Sequence, residues 1–90
     1  MRLTIEDLEN IFTAAIENES EFIGIVYYLK NKRRYELEII DKKDFKKKLG
    51  NIKSTYTKEL ICRKDADKEI AKATHASNLD AIKRTMFEVL

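Results

Sequence analysis

The stretch that most constrains the fold is Glu21–Lys30. Its centre, Phe-Ile-Gly-Ile-Val-Tyr-Tyr-Leu, carries no charge and is dense in β-branched and aromatic residues, so it predicts a strand. The following segment, Arg34 to Ile40, alternates: Tyr35, Leu37 and Ile39 on one side, Arg34, Glu36 and Glu38 on the other. The polar Asn31-Lys32-Arg33 joins them, which predicts a β-hairpin. A turn centred on Lys32 and Arg33 sets Tyr28 opposite Leu37 and Val26 opposite Ile39. One face then holds Phe22, Val26, Tyr28, Tyr35, Leu37 and Ile39. The other holds Ile23, Ile25, Tyr27, Leu29, Glu36, Glu38 and Ile40. A slip of one residue would mix the faces, so the alternation supports this division.

Both faces of the first strand are apolar, and an isolated hairpin is marginal in water. Helices on one face alone would leave Ile23, Ile25, Tyr27 and Leu29 as an exposed strip, which on a folded domain marks an interface. That strip is the candidate protein interface, either for a homodimer or for another protein. The alternative is a helix over this face, making a three-layer domain.

Helical periodicity surrounds the hairpin. Ile5, Leu8, Ile11, Phe12, Ala15 and Ile16 stripe one face of a helix over about Thr4–Asn18, with Thr4 and Asp7 as a capping box and Leu3 and Leu8 as a staple. Phe45, Leu49, Ile52 and Tyr56 predict a second helix over about Asp41–Thr57, interrupted by Gly50. Ser77 and Asp80 open a third over 77–89, with Leu79, Ile82, Met86 and Leu90 as its stripe. Lys68–Ala76 favours helix on propensity alone, yet the hairpin needs a further strand.

Several of these segments resemble a family of small uncharacterised proteins from phages and prophages of low-GC Gram-positive bacteria. The residues that carry the likeness are Leu8-Glu9-Asn10-Ile11-Phe12-Thr13-Ala14-Ala15-Ile16-Glu17-Asn18, Phe22-Ile23-Gly24, Glu38-Ile39-Ile40, Asp44-Phe45-Lys46-Lys47-Lys48-Leu49 and Tyr56. These motifs are structural, and the family brings no catalytic residues. The resemblance implies a strand before the last helix, at about Glu69–Ala76. The expected fold is therefore α+β, a single domain over 1–90 in the order α-β-β-α-β-α, with an antiparallel hairpin in a three-stranded sheet packed by helices. A helix over Asp65–Ala76 in place of the third strand is the alternative.

The 90 residues contain one cysteine, one histidine, two glycines and no proline. A single Cys and a single His fall short of a zinc ligand set. Cys62 and His75 could form a nucleophile–base pair, but no surrounding motif supports it, and a free cysteine is ordinarily a small core residue. Asp65-Ala66-Asp67-Lys68-Glu69 lacks the glycine and distal glutamate of a calcium loop. Gly24 and Gly50 stand alone, so no glycine-rich phosphate loop is present. No apolar run reaches the ~18 residues of a membrane span, and no signal peptide is expected from Met1-Arg2-Leu3. These readings predict a protein of the bacterial host cytoplasm with no cofactor, metal, membrane or small-molecule substrate.

Charge is distributed unevenly behind the net +2: residues 1–21 sum to −5, residues 30–53 to +6 and residues 54–90 to +1. The basic segment supplies candidate phosphate contacts in Lys30, Lys32, Arg33 and Arg34 at the hairpin and Lys42, Lys43, Lys46 and Lys47 on the second helix. Lysine dominance suits phosphate more than base edges. The apolar strip predicts a non-enzymatic protein-interaction module, and the family resemblance implies that it is a phage or prophage accessory protein, a regulator or inhibitor of host or phage machinery. The alternative is a nucleic-acid-binding protein using the 30–53 segment.

Overall fold

The computed structural model describes residues 3–89, and side chains up to Arg84. The order is α1 (Ile5–Glu17), β1 (Phe22–Leu29), β2 (Arg34–Asp41), a 3-10 turn (Lys42–Asp44), α2 (Phe45–Thr55), β3 (Lys68–Ala76) and α3 (Leu79–Val89). The fold is the expected α+β arrangement, and 68–76 is a strand. The three strands form an antiparallel sheet in the order β2-β1-β3. Central placement explains the composition of β1: it is paired on both sides, and helices cover both its faces.

Leu8, Phe12 and Ala15 of α1 and Phe45 and Ile52 of α2 pack with Ile23, Ile25, Tyr27 and Ile40 in one core. The other face of the sheet lies under α3, which touches all three strands. There Gly24 leaves room for Ile82, whose Cγ2 would stand 2.5 Å from a Cβ at position 24. The domain therefore has three layers. Met86 and Leu90, the remaining positions of the α3 stripe, lie outside the residues whose side chains are described. Ile16, expected in the α1 stripe, is instead 49% exposed.

The hairpin register corrects the sequence expectation by two residues. Tyr28 pairs with Tyr35 and Val26 with Leu37. The loop comprises Lys30–Arg33, closed by Lys32 N–H donating to Leu29 O at 3.2 Å and Arg33 N–H to Lys30 O at 3.3 Å. A two-residue turn on Lys32-Arg33 would need positive φ at one or both side chains ill suited to it, whereas here Arg33 alone takes it, at φ 48°. A shift of two preserves parity, so the predicted division of faces holds.

Local signals place the helix ends. Thr4 and Asp7 form the reciprocal capping box of α1. Asp41 caps the 3-10 turn rather than α2 itself. At α3 the cap is Asn78, not Ser77: Ala81 N–H donates to Asn78 Oδ1 at 2.8 Å. Gly50 does not break α2.

Candidate site: a polar cleft beside a basic sheet end

The strip proposed from the sequence as an interface is inside the protein. Ile23 and Ile25 are fully buried, and Tyr27 and Leu29 are 6% and 8% exposed. The reason is the third layer. With α3 occupying the opposite face, α1 and α2 are left to cover this one, and they cover it with Leu8, Phe12, Phe45 and Ile52. The sequence alternative of a covering helix is the one that holds.

Cover is incomplete beside α2. Beneath the carboxy-terminal half of α2 a cleft of about 530 Å³ opens, lined by Tyr27, Glu36, Glu38, Lys48, Asn51, Thr55, Tyr56 and Lys68 together with Leu37 and Ile52. Its floor is a polar chain. The Tyr27 hydroxyl donates to Glu38 Oε1 at 2.5 Å, and Lys48 Nζ reaches the same carboxylate at 2.8 Å. Lys68 Nζ stands 4.6 Å from the centre of the Tyr27 ring, a cation–π contact. Tyr27 and Tyr56 have ring centroids 6.4 Å apart.

Electrostatics follow from this packing. Burial pushes the Tyr27 hydroxyl pKa far up, and the adjacent Glu38 carboxylate adds to it. Burial also raises Tyr56, to about 12, with smaller contributions from Cys62, Glu38 and Asp65. Burial acts to raise Glu38 too. The hydrogen bonds from Lys48 and Tyr27, with the charges of Lys48 and Lys68, outweigh it and hold the carboxyl below its ordinary range. Both phenols therefore keep their protons at neutral pH and act as donors.

The cleft lies at the end of the sheet where the hairpin turns, and that end is basic. Lys30, Lys32, Arg33 and Arg34 are exposed there. Lys30 N–H donates to Asp67 O at 2.7 Å, which ties the 63–67 turn to the hairpin. Arg63 and Lys64 are thereby brought to the same end. Segments 30–36 and 63–69 together carry seven bases and four acids. Among the described residues only Arg34 of the hairpin bases is in an ion pair, with Glu36 at 3.0 Å.

Lys42, Lys43, Lys46 and Lys47 are also exposed, but at the far end of β2, roughly 20 Å away at ~3.3 Å per residue. Lys42 is paired with Glu21 at 3.2 Å. The structure splits the predicted basic zone into two ends and enlarges one of them with residues from another part of the chain. The cleft is not legible in the sequence, because its polar groups come from β1, β2, α2 and β3. The one available signal was the pair Glu36 and Glu38 on an otherwise apolar face.

Cys62 and His75 do not meet. Cys62 N–H bonds Lys68 O at one end of β3, while His75 pairs with Ile23 near the other. His75 Nδ1 is 2.8 Å from Ser20 Oγ. Among the described residues no helix is long and apolar enough to cross a membrane.

The fold and site define a small three-layer α+β domain with a polar cleft at a basic sheet end. Comparison with protein families, curated proteins and solved structures finds no match.

Proposed function

We propose that this protein is a non-enzymatic binding protein that holds the phosphate backbone of a nucleic acid at its basic sheet end. The observation that carries the reading is the Lys30–Asp67 bond, which joins two basic turns into one surface. Lys30, Lys32, Arg33, Arg63 and Lys64 are exposed and, among the described residues, outside any ion pair, so their charge is available to phosphate. Tyr28 and Tyr35, with ring centroids 4.9 Å apart, stand directly beside the hairpin loop. Aromatic rings among cations suit single strands, which offer stacking faces as well as charge.

Neutralising about four phosphates gives a slope near −3 for log affinity against log salt on a single strand. Fluorescence anisotropy of a labelled oligonucleotide across salt concentrations measures this. Replacing Lys32, Arg33 and Lys64 together by Gln should flatten the slope by about two to three units. Binding that ignores both salt and these substitutions refutes the proposal.

Protein interaction is the second reading. It loses the Ile23–Leu29 strip and keeps one observation: β2, last in the strand order, has no strand on its outer side among the described residues. An added strand could pair there. A second copy is a poor occupant, since antiparallel registers centred near 37–38 set Glu38 against Glu36 or against itself. A different protein is the better fit, as the phage and prophage resemblance of segments such as Leu8–Asn18 would suit. Host extract that yields no partner removes this reading, and a partner whose binding survives Leu37→Pro removes the β2 edge as its docking site.

A further inference from the structure

The cleft holds hydrogen-bonding capacity that the protein does not use. Its two carboxylates are engaged, Glu36 by Arg34 and Glu38 by both Tyr27 and Lys48. Its donors are not. Tyr56 is 7% exposed, and its hydroxyl has no hydrogen-bond partner among the described residues. Among those residues no buried polar side-chain atom is left without a bond, so this hydroxyl meets solvent. Lys68 Nζ rests on the Tyr27 ring and, although its charge acts on Glu38, makes no ion pair within 4.0 Å among the described residues. The side chains of Asn51 and Thr55 line the same space. Arg63 N–H donates to Thr55 O at 2.9 Å, which holds the backbone of the 63–67 turn beside the end of α2.

An acceptor-rich, negatively charged group complements such a set. A carboxylate offers two oxygens. A phosphate ester offers up to three, and charge-assisted bonds from Lys and hydroxyl donors are the strong ones. The volume lies within the ~300–1,000 Å³ of ordinary small-ligand sites, so the group can carry a substituent.

We infer that the cleft beneath α2 binds a phosphate ester, held by Lys68 and Tyr56 with Asn51 and Thr55 as further donors. The ester is either one linkage of a strand lying on the adjacent basic end or a free phosphorylated small molecule. The site stands on its own geometry and does not require nucleic acid to be the ligand of the basic end.

Amide-resolved NMR titrations of the full chain with inorganic phosphate, adenosine monophosphate and an oligothymidylate test this. Saturable shifts are expected at Asn51, Thr55, Tyr56 and Lys68. Lys68→Gln and Tyr56→Phe should each weaken binding about tenfold or more, while Lys46→Gln leaves it unchanged. Tyr56→Phe keeps the ring, and each variant's amide spectrum reports its fold. Cleft shifts with the monophosphate identify the small-molecule source, and cleft shifts with the oligonucleotide alone identify the strand. Unsaturating shifts spread over the lysines and indifferent to both variants mean an adventitious ion only, and overturn the inference. An oligonucleotide that moves residues 30–34 and 63–64 but none in the cleft overturns it too, while leaving nucleic-acid binding intact.

Discussion

Gly24→Ala tests the three-layer arrangement at its tightest point. A methyl at this position would stand 2.5 Å from Ile82 Cγ2, 3.5 Å from Leu37 Cδ1 and 3.7 Å from Ile82 Cβ. The first distance is more than 1 Å inside the usual ~3.5–4.0 Å carbon–carbon separation. Ile82 has little freedom to retreat. Its Cγ2 sits on a branched Cβ, the side chain is fully buried, and α3 is held over three strands. Relief must come from a displaced helix or an off-rotamer isoleucine, at about 1–3 kcal/mol. Alanine is otherwise the better strand residue at an ordinary φ, so the steric effect is opposed by a gain of ~0.5–1 kcal/mol. The expected net loss is about 1–2 kcal/mol, or roughly 4–16 °C in Tm for a domain of this size. Urea and thermal melts of Gly24→Ala, Ile82→Ala and the double variant measure it. Ile82→Ala alone should cost about 2–5 kcal/mol. In the double variant the methyl enters the space that Cγ2 vacates, so the two losses should fall short of additive by at least ~1 kcal/mol. An unchanged Tm for Gly24→Ala, or strict additivity, would show that α3 does not lie on this face as described.

Glu19 closes α1 in the left-handed region at φ 54°, with Ser20 N–H bonded to Ala15 O and Glu19 N–H to Ile16 O, so Glu19→Gly should stabilise by ~0.5–1 kcal/mol in chemical denaturation. Glu38 has its folded pKa held below the unfolded value of 4.5, so its contribution is complete above that value and fades as pH falls through the lower folded one. Tyr27→Phe removes one of the donors responsible; it should destabilise by about 1–2 kcal/mol at neutral pH and by less at pH ~3, read from melts at both. Tyr27 and Tyr56 titrate the other way, with folded values above the unfolded 10, so stability should hold below pH 10 and fall as pH rises toward about 12. Tyrosinate absorbance of these two should then appear together with loss of circular dichroism; titration ahead of unfolding would contradict their burial.

Much of the architecture was legible locally. Alternation in Arg34–Ile40 separates the sheet faces correctly even though the register was off by two, because parity survives an even shift. Thr4 and Asp7 mark the start of α1 through a bond pattern spanning three residues. The strand at Lys68–Ala76 runs against propensity, which there favours helix; a hairpin's need for a further strand leaves the choice open, and the family resemblance is what tips it to strand. Ser77 and Asn78 are both good capping residues, so only backbone geometry decides that Asn78 is the cap. Nothing local links Arg63 and Lys64 to Lys30, since about thirty residues separate them along the chain.

The sequence by itself determined that Phe22–Leu29 must be buried on both sides, since an uncharged two-sided strand has nothing to offer water. It could not determine what buries it. Whether α3 joins α1 and α2 or crosses to the opposite face depends on where β3 ends and which side its connection leaves from, a property of the assembled sheet. That placement turned Ile23, Ile25, Tyr27 and Leu29 from a candidate interface into core. The same assembly set Tyr56 and Lys68 beside Glu38 and drew two basic turns to one end. Burial is dictated by composition; which polar groups are left facing solvent together is decided only when the layers close.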